Sequence, residues 1–280
     1  MATMENNNIR VDRAWNRLHS RLEQDGLLKK KEESQQHLFR PVALKWAASL
    51  LILVTASIFI ARELNPTLPE MLTLLNSEKN STFVTTLEDG SVVYLAENTS
   101  LSYPEHFQKN SREVFLEGDA FFEISKNPES PFIIETDLIK VKVLGTSFNV
   151  KAGTKGYPSL SVNTGVVEVT LKNGGESTKI NAGETVIIHS GNLEVIPTSD
   201  LEQFTLYMSR IHFKDERLAD VIRVINRNYE DMFFEISPEV EERLLTATFS
   251  QNSPDSLAEL ICSALNLKYS KEQNTIKIYK

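Results

Sequence analysis

Residues 141–150, VKVLGTSFNV, decide the fold class of this chain. Val141, Lys142 and Val143 alternate apolar with charged, the period of a strand that buries one face, and Gly145 then interrupts the run where a tight turn or a close backbone approach is needed. Outward from this stretch the same grammar repeats. Val167-Glu168-Val169 alternates in the same way, and from about Thr82 to Ile196 short β-branched and aromatic runs are separated by turn residues. Those turns are Asp89-Gly90, Glu117-Gly118, Asn173-Gly174-Gly175, Ala182-Gly183 and Ser190-Gly191-Asn192. Residues 82–197 are therefore expected to form an all-β domain, either a sandwich or a solenoid-like wrap.

Past Thr198 an internal repeat replaces this pattern. Phe213, Leu218, Ala219, Asp220, Val221 and Ile222 recur as Phe249, Leu257, Ala258, Glu259, Leu260 and Ile261, and Asn226 and Tyr229 are echoed by Asn266 and Tyr269. Each copy reads as strand, short helix, strand. Leu218, Val221, Ile222 and Ile225 line one helix; Leu257, Leu260, Ile261 and Leu265 line the other, which Ser253 caps and Pro254 opens. Residues 205–280 are thus expected to be a small α/β domain of two βαβ-like halves. Its last strand, Thr275, Ile276, Lys277, Ile278 and Tyr279, is placed at a sheet edge where it would pair with a visiting strand.

On the N-terminal side, residues 42–61 include WAASLLILVTASIFIA without charge, a length of about 30 Å as a helix, one hydrocarbon thickness. Only Ser49, Thr55 and Ser57 break its apolar surface, and each can return its hydroxyl to a carbonyl one turn back. A single transmembrane helix is expected there. Lys29, Lys30, Lys31, Arg40 and Lys45 precede it against Arg62 and Lys79 after it, which places the N-terminus in the cytoplasm and the later domains on the other side of the membrane. Residues 62–81, with Pro66 and Pro69, read as a linker. Before the span, Val11, Trp15, Leu18 and Leu22 fall on one face of a helix whose other faces carry Arg13, Arg17, Arg21 and Glu23. The KKKEESQQ run at 29–36 is a solvated tether, so that apolar face needs a partner or a membrane surface. A tryptophan flanked by leucines is the anchor type that fills a groove on another protein.

Charge and motifs exclude much. The formal net charge is −8 over 280 residues, and the N-terminal 45 residues are net positive, so the remainder is more acidic than the whole and a poor nucleic-acid binder. With Cys262 as the single cysteine, no internal disulfide forms. The histidines His19, His37, His106, His189 and His212 lack metal-ligand spacing. There is no G-x-S-x-G elbow, Walker A pattern or G-x-G-x-x-G, and Asn173-Gly174-Gly175 reads as a hairpin turn. Pairs such as Asp119 with Glu123 are too common to mark a glycosidase. Neither a cofactor nor catalysis is expected.

Three blocks together resemble a known family. Gly118-Asp119-Ala120-Phe121-Phe122-Glu123-Ile124, then Pro131-Phe132-Ile133-Ile134-Glu135-Thr136, then Val141 to Val150 are similar to the signature of FecR-type anti-sigma factors, and Thr164 to Val169 and Ala182-Gly183-Glu184 continue it in order. Residues 205–280 resemble the domain that commonly follows, itself similar to the signalling domain of secretins and TonB-dependent receptors. The resemblance implies an inner-membrane relay. In such a relay the cytoplasmic segment 1–41 holds an extracytoplasmic-function sigma factor through Val11, Trp15, Leu18 and Leu22. The periplasmic part reads the signalling domain of an outer-membrane TonB-dependent receptor, with 205–280 facing it, and transport genes respond. Phe121, Phe122, Phe132 and Phe148 are expected as core aromatics. The alternative of another class is a membrane-anchored scaffold whose β domain binds a periplasmic glycan or polymer.

Overall fold

Alternation of apolar and polar residues builds most of this molecule from strands. The computed structural model describes residues 2–27, 41–64, 70–77, 79, 81–152, 157–229, 231–250 and 252–280. The chain divides into two compact units, residues 1–67 and 68–280. The first holds two helices, α1 (Ala2–Gln24) and α2 (Pro41–Leu64). The tether at 29–36 lies outside the described residues, as do 65–69 of the expected linker.

The membrane expectation is corrected. Among the described residues no helix is long and apolar enough to cross a membrane. The hydroxyls do fold back as their type requires: Ser49 Oγ donates to the Trp46 carbonyl at 2.9 Å, and Thr55 Oγ1 to the carbonyls of Leu51 and Ile52 at 3.0 Å. The single transmembrane helix over 42–61 and the inner-membrane localisation with a cytoplasmic N-terminus and periplasmic domains therefore fall together.

In the second unit the strands are β1 (Met71–Asn76), β2 (Thr82–Thr86), β3 (Val92–Leu95), β4 (Thr99–Pro104), β5 (Arg112–Glu117), β6 (Ala120–Glu123) and β7 (Phe132–Glu135). They continue as β8 (Ile139–Val143), β9 (Ser147–Lys151), β10 (Ser159–Thr164), β11 (Val166–Leu171), β12 (Ser177–Asn181), β13 (Glu184–His189) and β14 (Asn192–Pro197). After two short 3-10 turns come β15 (Ile211–Arg217), α3 (Leu218–Asn228), β16 (Phe233–Ile236), β17 (Leu244–Phe249), α4 (Pro254–Leu265), β18 (Lys268–Glu272) and β19 (Thr275–Tyr279). A seven-stranded sheet runs β1-β4-β5-β7-β8-β11-β12 and a nine-stranded sheet runs β14-β13-β10-β9-β6-β3-β2-β15-β17. From β4 onward the chain passes back and forth between these two layers in pairs of strands or single ones. Their facing side chains close one core, with Val93, Phe122, Phe148 and Leu160 from one sheet and Leu101, Val114, Phe132 and Val141 from the other. Phe122 and Phe148 stack at 5.4 Å between ring centroids.

The fold class is corrected a second time by where the repeat goes. β15 joins β2 in parallel, Ile211 opposite Thr82 and His212 opposite Phe83, and β17 joins β15, so the first strand of each repeat belongs to the large sheet. The second strands form a separate three-stranded sheet, β16-β19-β18. Each βαβ-like half is therefore split between two sheets: residues 205–280 build the three-stranded sheet alone but give their first strands, β15 and β17, to the large one. A second core lies on the other face of the nine-stranded sheet, where Val84, Val92, Tyr94 and Phe121 pack with Phe204, Tyr207, Phe213, Val221, Ile225, Leu257 and Ile276. Strand alternation explains how Phe121 and Phe122 serve different cores: adjacent residues of β6 point to opposite faces.

The helices form as their sequences ask, with two exceptions. Leu218, Val221, Ile222 and Ile225 of α3 are buried, and Ser253 Oγ caps α4 by accepting from Ser256 N at 3.2 Å with Pro254 behind it. Leu260, by contrast, is exposed, and Cys262, placed by periodicity off the apolar face, is buried in the second core. The echoed residues also differ in their work. The Asn226 side chain clamps β16, donating to the Phe234 carbonyl and accepting from its N–H at 2.9 and 2.7 Å, whereas Asn266 ends α4 in the left-handed conformation at φ 51°.

Candidate partner-binding surfaces

The first candidate surface is on α1. Val11, Trp15 and Leu18 are exposed by 63, 64 and 49 %, and Leu22 is half-buried, so the apolar stripe read from spacing is a helical face open to solvent. The helix stops where it does because Gly26 adopts φ +67°, which lets Leu27 N donate to the Leu22 carbonyl at 3.0 Å and Gly26 N to the Glu23 carbonyl at 3.3 Å. That pair of bonds satisfies carbonyls that the last turn leaves over.

The second candidate does not survive as an edge. β19, Thr275 to Tyr279, lies between β16, parallel to it, and β18, antiparallel to it. Both of its backbone sides are paired, with Ile276 and Ile278 buried. Strand order cannot be read from one strand's own alternation, so the sequence had no signal for this; the edges of that sheet are β16 and β18.

A third surface, which the sequence did not single out, is the seam where 199–280 meets the nine-stranded sheet. Tyr207 OH donates to Asn149 Oδ1 at 2.8 Å, Asn149 Nδ2 donates to Gln203 Oε1 at 3.3 Å, and Gln203 Nε2 donates to the Asp200 carbonyl at 2.6 Å. Asn149 belongs to the opening stretch, and this is its task. Arg227 of α3 pairs with Glu123 of β6 at 2.7 Å, and Tyr94 OH donates to the same carboxylate at 3.2 Å. Glu216 lies where β15 leaves β2 and accepts from Thr86 N at 2.9 Å. Burial pushes its carboxyl up to about 7, Thr86 N opposing and Asp220 adding to the shift. A cleft of about 390 Å³ opens along the seam, with Ser81, Lys151, Gln203, Tyr207 and Arg210 in its walls.

Among the described residues no three His, Cys, Asp or Glu side chains are placed to hold a metal ion. The Cys262 thiol is pushed up to about 11 by burial, the wrong direction for a nucleophile.

Two family descriptions match this geometry in order. "FecR protein" matches residues 73–168, which span β1 to the middle of β11, and "FecR, C-terminal" matches residues 210–278, which span the split repeat. No curated protein matches the chain. Two crystal structures of a proposed anti-sigma factor from Parabacteroides distasonis ATCC 8503, at 2.50 and 1.65 Å resolution, are 28 and 29 % identical to it. Each alignment covers 75 % of this chain and 99 % of the other, with TM-scores of 0.45 and 0.43.

Proposed function

The chain belongs to the FecR family, and from that premise we propose that it is an anti-sigma factor whose helix α1 holds an extracytoplasmic-function sigma factor through Val11, Trp15, Leu18 and Leu22. The observation that carries this reading is the state of that face: a 23-residue helix presents a tryptophan and two aliphatic side chains to solvent. A helix laid into an apolar groove at i, i+4, i+7 and i+11 is a recurring mode of protein recognition, and tryptophan is the residue most enriched among binding hot spots. Residues 68–280 receive the input, which the family resemblance assigns to the signalling domain of a TonB-dependent receptor. With β19 enclosed, that contact does not use the backbone of Thr275 to Tyr279.

The test is a binding titration of the full chain against its sigma factor. Trp15→Ala with Leu18→Ala should weaken binding by at least tenfold, about 1.4 kcal/mol or more, while leaving the melting of the β-rich unit unchanged. Equal binding by the double variant overturns the α1 assignment. Capture of the receptor signalling domain by the full chain tests the input side; no capture overturns it.

A further inference from the structure

We propose that the free edge of β1 is a docking site for an extended strand in which apolar residues alternate with lysine or arginine. The proposal is independent of the role of α1. The carbonyl of Glu70 accepts from Glu105 N at 3.1 Å, and β1 pairs with β4 without a shift from Met71 opposite Pro104 to Asn76 opposite Thr99. That phase turns the backbone groups of Leu72, Leu74 and Asn76 toward β4. In an antiparallel ladder the intervening residues point the other way. Met71, Thr73 and Leu75 therefore offer N–H and C=O along an outer side where no described strand pairs with them.

Proteins ordinarily blunt such edges with charge, proline or a bulge. Four of the other five sheet edges here are blunted. β12 carries Lys179, β14 carries Glu194 and Pro197, β16 carries Glu235, and β18 carries Lys268, Lys271 and Glu272. The fifth, β17, is uncharged, and its ladder with β15 is bulged between Phe213 and Glu216. β1 reads MLTLLN, with no charge, proline or bulge, and Leu75 is 64 % exposed.

The sheet face beside this edge is shaped for side chains. Phe115, two strands in, is 47 % exposed, and a recess of about 70 Å³ lies between Met71, Pro104, Glu113 and Phe115, sized for one apolar side chain. Glu113 lines this recess, Glu117 lies farther along β5 on the same exposed face, and Glu70 and Glu105 stand opposite each other at the end of the β1–β4 ladder; none of the four forms an ion pair among the described residues. Lysine or arginine on an incoming strand would meet Glu70 beside the edge and be drawn by the wider acidic field of Glu105, Glu113 and Glu117, whereas a second copy of β1 would bring its own Glu70 and Glu105 into that field. Main-chain bonds would supply affinity, and the recess and carboxylates would supply selectivity.

The experiment titrates full-length chain into a labelled, acetylated peptide that alternates lysine with valine, read by fluorescence anisotropy. Saturable binding is expected, at least tenfold weaker for the peptide with glutamate in place of lysine and for one with a central proline. Thr73→Pro, which removes an outward N–H and spares the β4 ladder, should weaken binding at least tenfold with an unchanged melting curve. Should that variant melt lower, Leu75→Lys tests the same edge without touching the backbone and should also weaken binding at least tenfold. No binding by the parent chain, equal binding of all three peptides, or full binding by Leu75→Lys overturns the proposal. So does concentration-dependent dimerisation of the parent that Leu75→Lys abolishes, which would give the edge to a second copy.

Discussion

Gly145 shows at one position how a sequence signal becomes a constraint. Its φ is +152°, and a Cβ added there would lie 2.6 Å from the Cα of Lys126, a backbone atom that cannot swing aside. Gly145→Ala should therefore cost several kcal/mol, about 2–4 by the scale of overpacking plus strain, measured as a shift in the urea midpoint. Arg112 is a different case, invisible in the sequence because no spacing marks it. Its side chain is buried, its Nη1 donates to Asp89 Oδ2 at 2.5 Å and to the Ser125 carbonyl at 3.0 Å, and its Nε donates to the Ser130 carbonyl at 2.8 Å. Arg112→Ala strands a part-buried Asp89 and two carbonyls, and about 3–5 kcal/mol of stability should be lost. Glu216 gives the pH prediction. Because its carboxyl titrates near 7 when folded and near 4.5 when free, the folded state binds the proton more tightly, so this group's contribution is fully present below about pH 4.5 and is lost as pH rises through 7. Glu216→Gln should thus stabilise the chain at pH 8 relative to its parent by about 1–3 kcal/mol, discounted for partial exposure, and by much less at pH 5. Denaturant titrations at the two pH values check it; equal differences at both would refute it.

At the scale of elements, what was legible is what depends on neighbours in sequence. The α3 face, the Ser253-Pro254 start of α4 and the amphipathic α1 all follow from residues within a turn or two of one another. The stop of α1 belongs to this class too, since Gly26 takes a positive φ with nothing within 4 Å of where its Cβ would be. Gly26→Ala meets no atom, only the backbone penalty, and should cost about 1 kcal/mol, seen as a small loss of helical circular dichroism. What was not legible depends on who pairs with whom. β1 fell inside a stretch read as linker because Pro66 and Pro69 outweighed its short apolar run. β19 was placed at an edge although its alternation suits a central strand equally well. Leu260 and Cys262 exchanged places relative to the helical wheel because α4 packs against β17, β18 and β19 at once, and the wheel knows one face only.

At the scale of the whole molecule, the sequence located where periodicity changes, near Thr198, but not that the sheet continues across the change. That continuity predicts joint stability within residues 68–280. Deleting residues 199–280 would uncover Val84, Val92, Tyr94 and Phe121, each 0 to 1 % exposed. At roughly 1.5–3 kcal/mol per side chain the loss rivals the whole stability of an ordinary domain, some 5–15 kcal/mol. The truncated form should bind a hydrophobic dye and lose cooperative unfolding, monitored by circular dichroism at β wavelengths. Tryptophan emission would miss it, because Trp15 and Trp46 both lie in residues 1–67. The parallel seam of β2 with β15 has one more consequence. It joins Thr82 to Ile211 across more than a hundred residues of chain, and such distant contacts slow folding because loop closure precedes any reward. On the ribosome, β2 waits with one side open until β15 has been made, which at about 5–20 residues per second is a delay of several seconds or more. During that interval a chaperone, or a neighbouring nascent chain, has first access to the face that 199–280 will later cover.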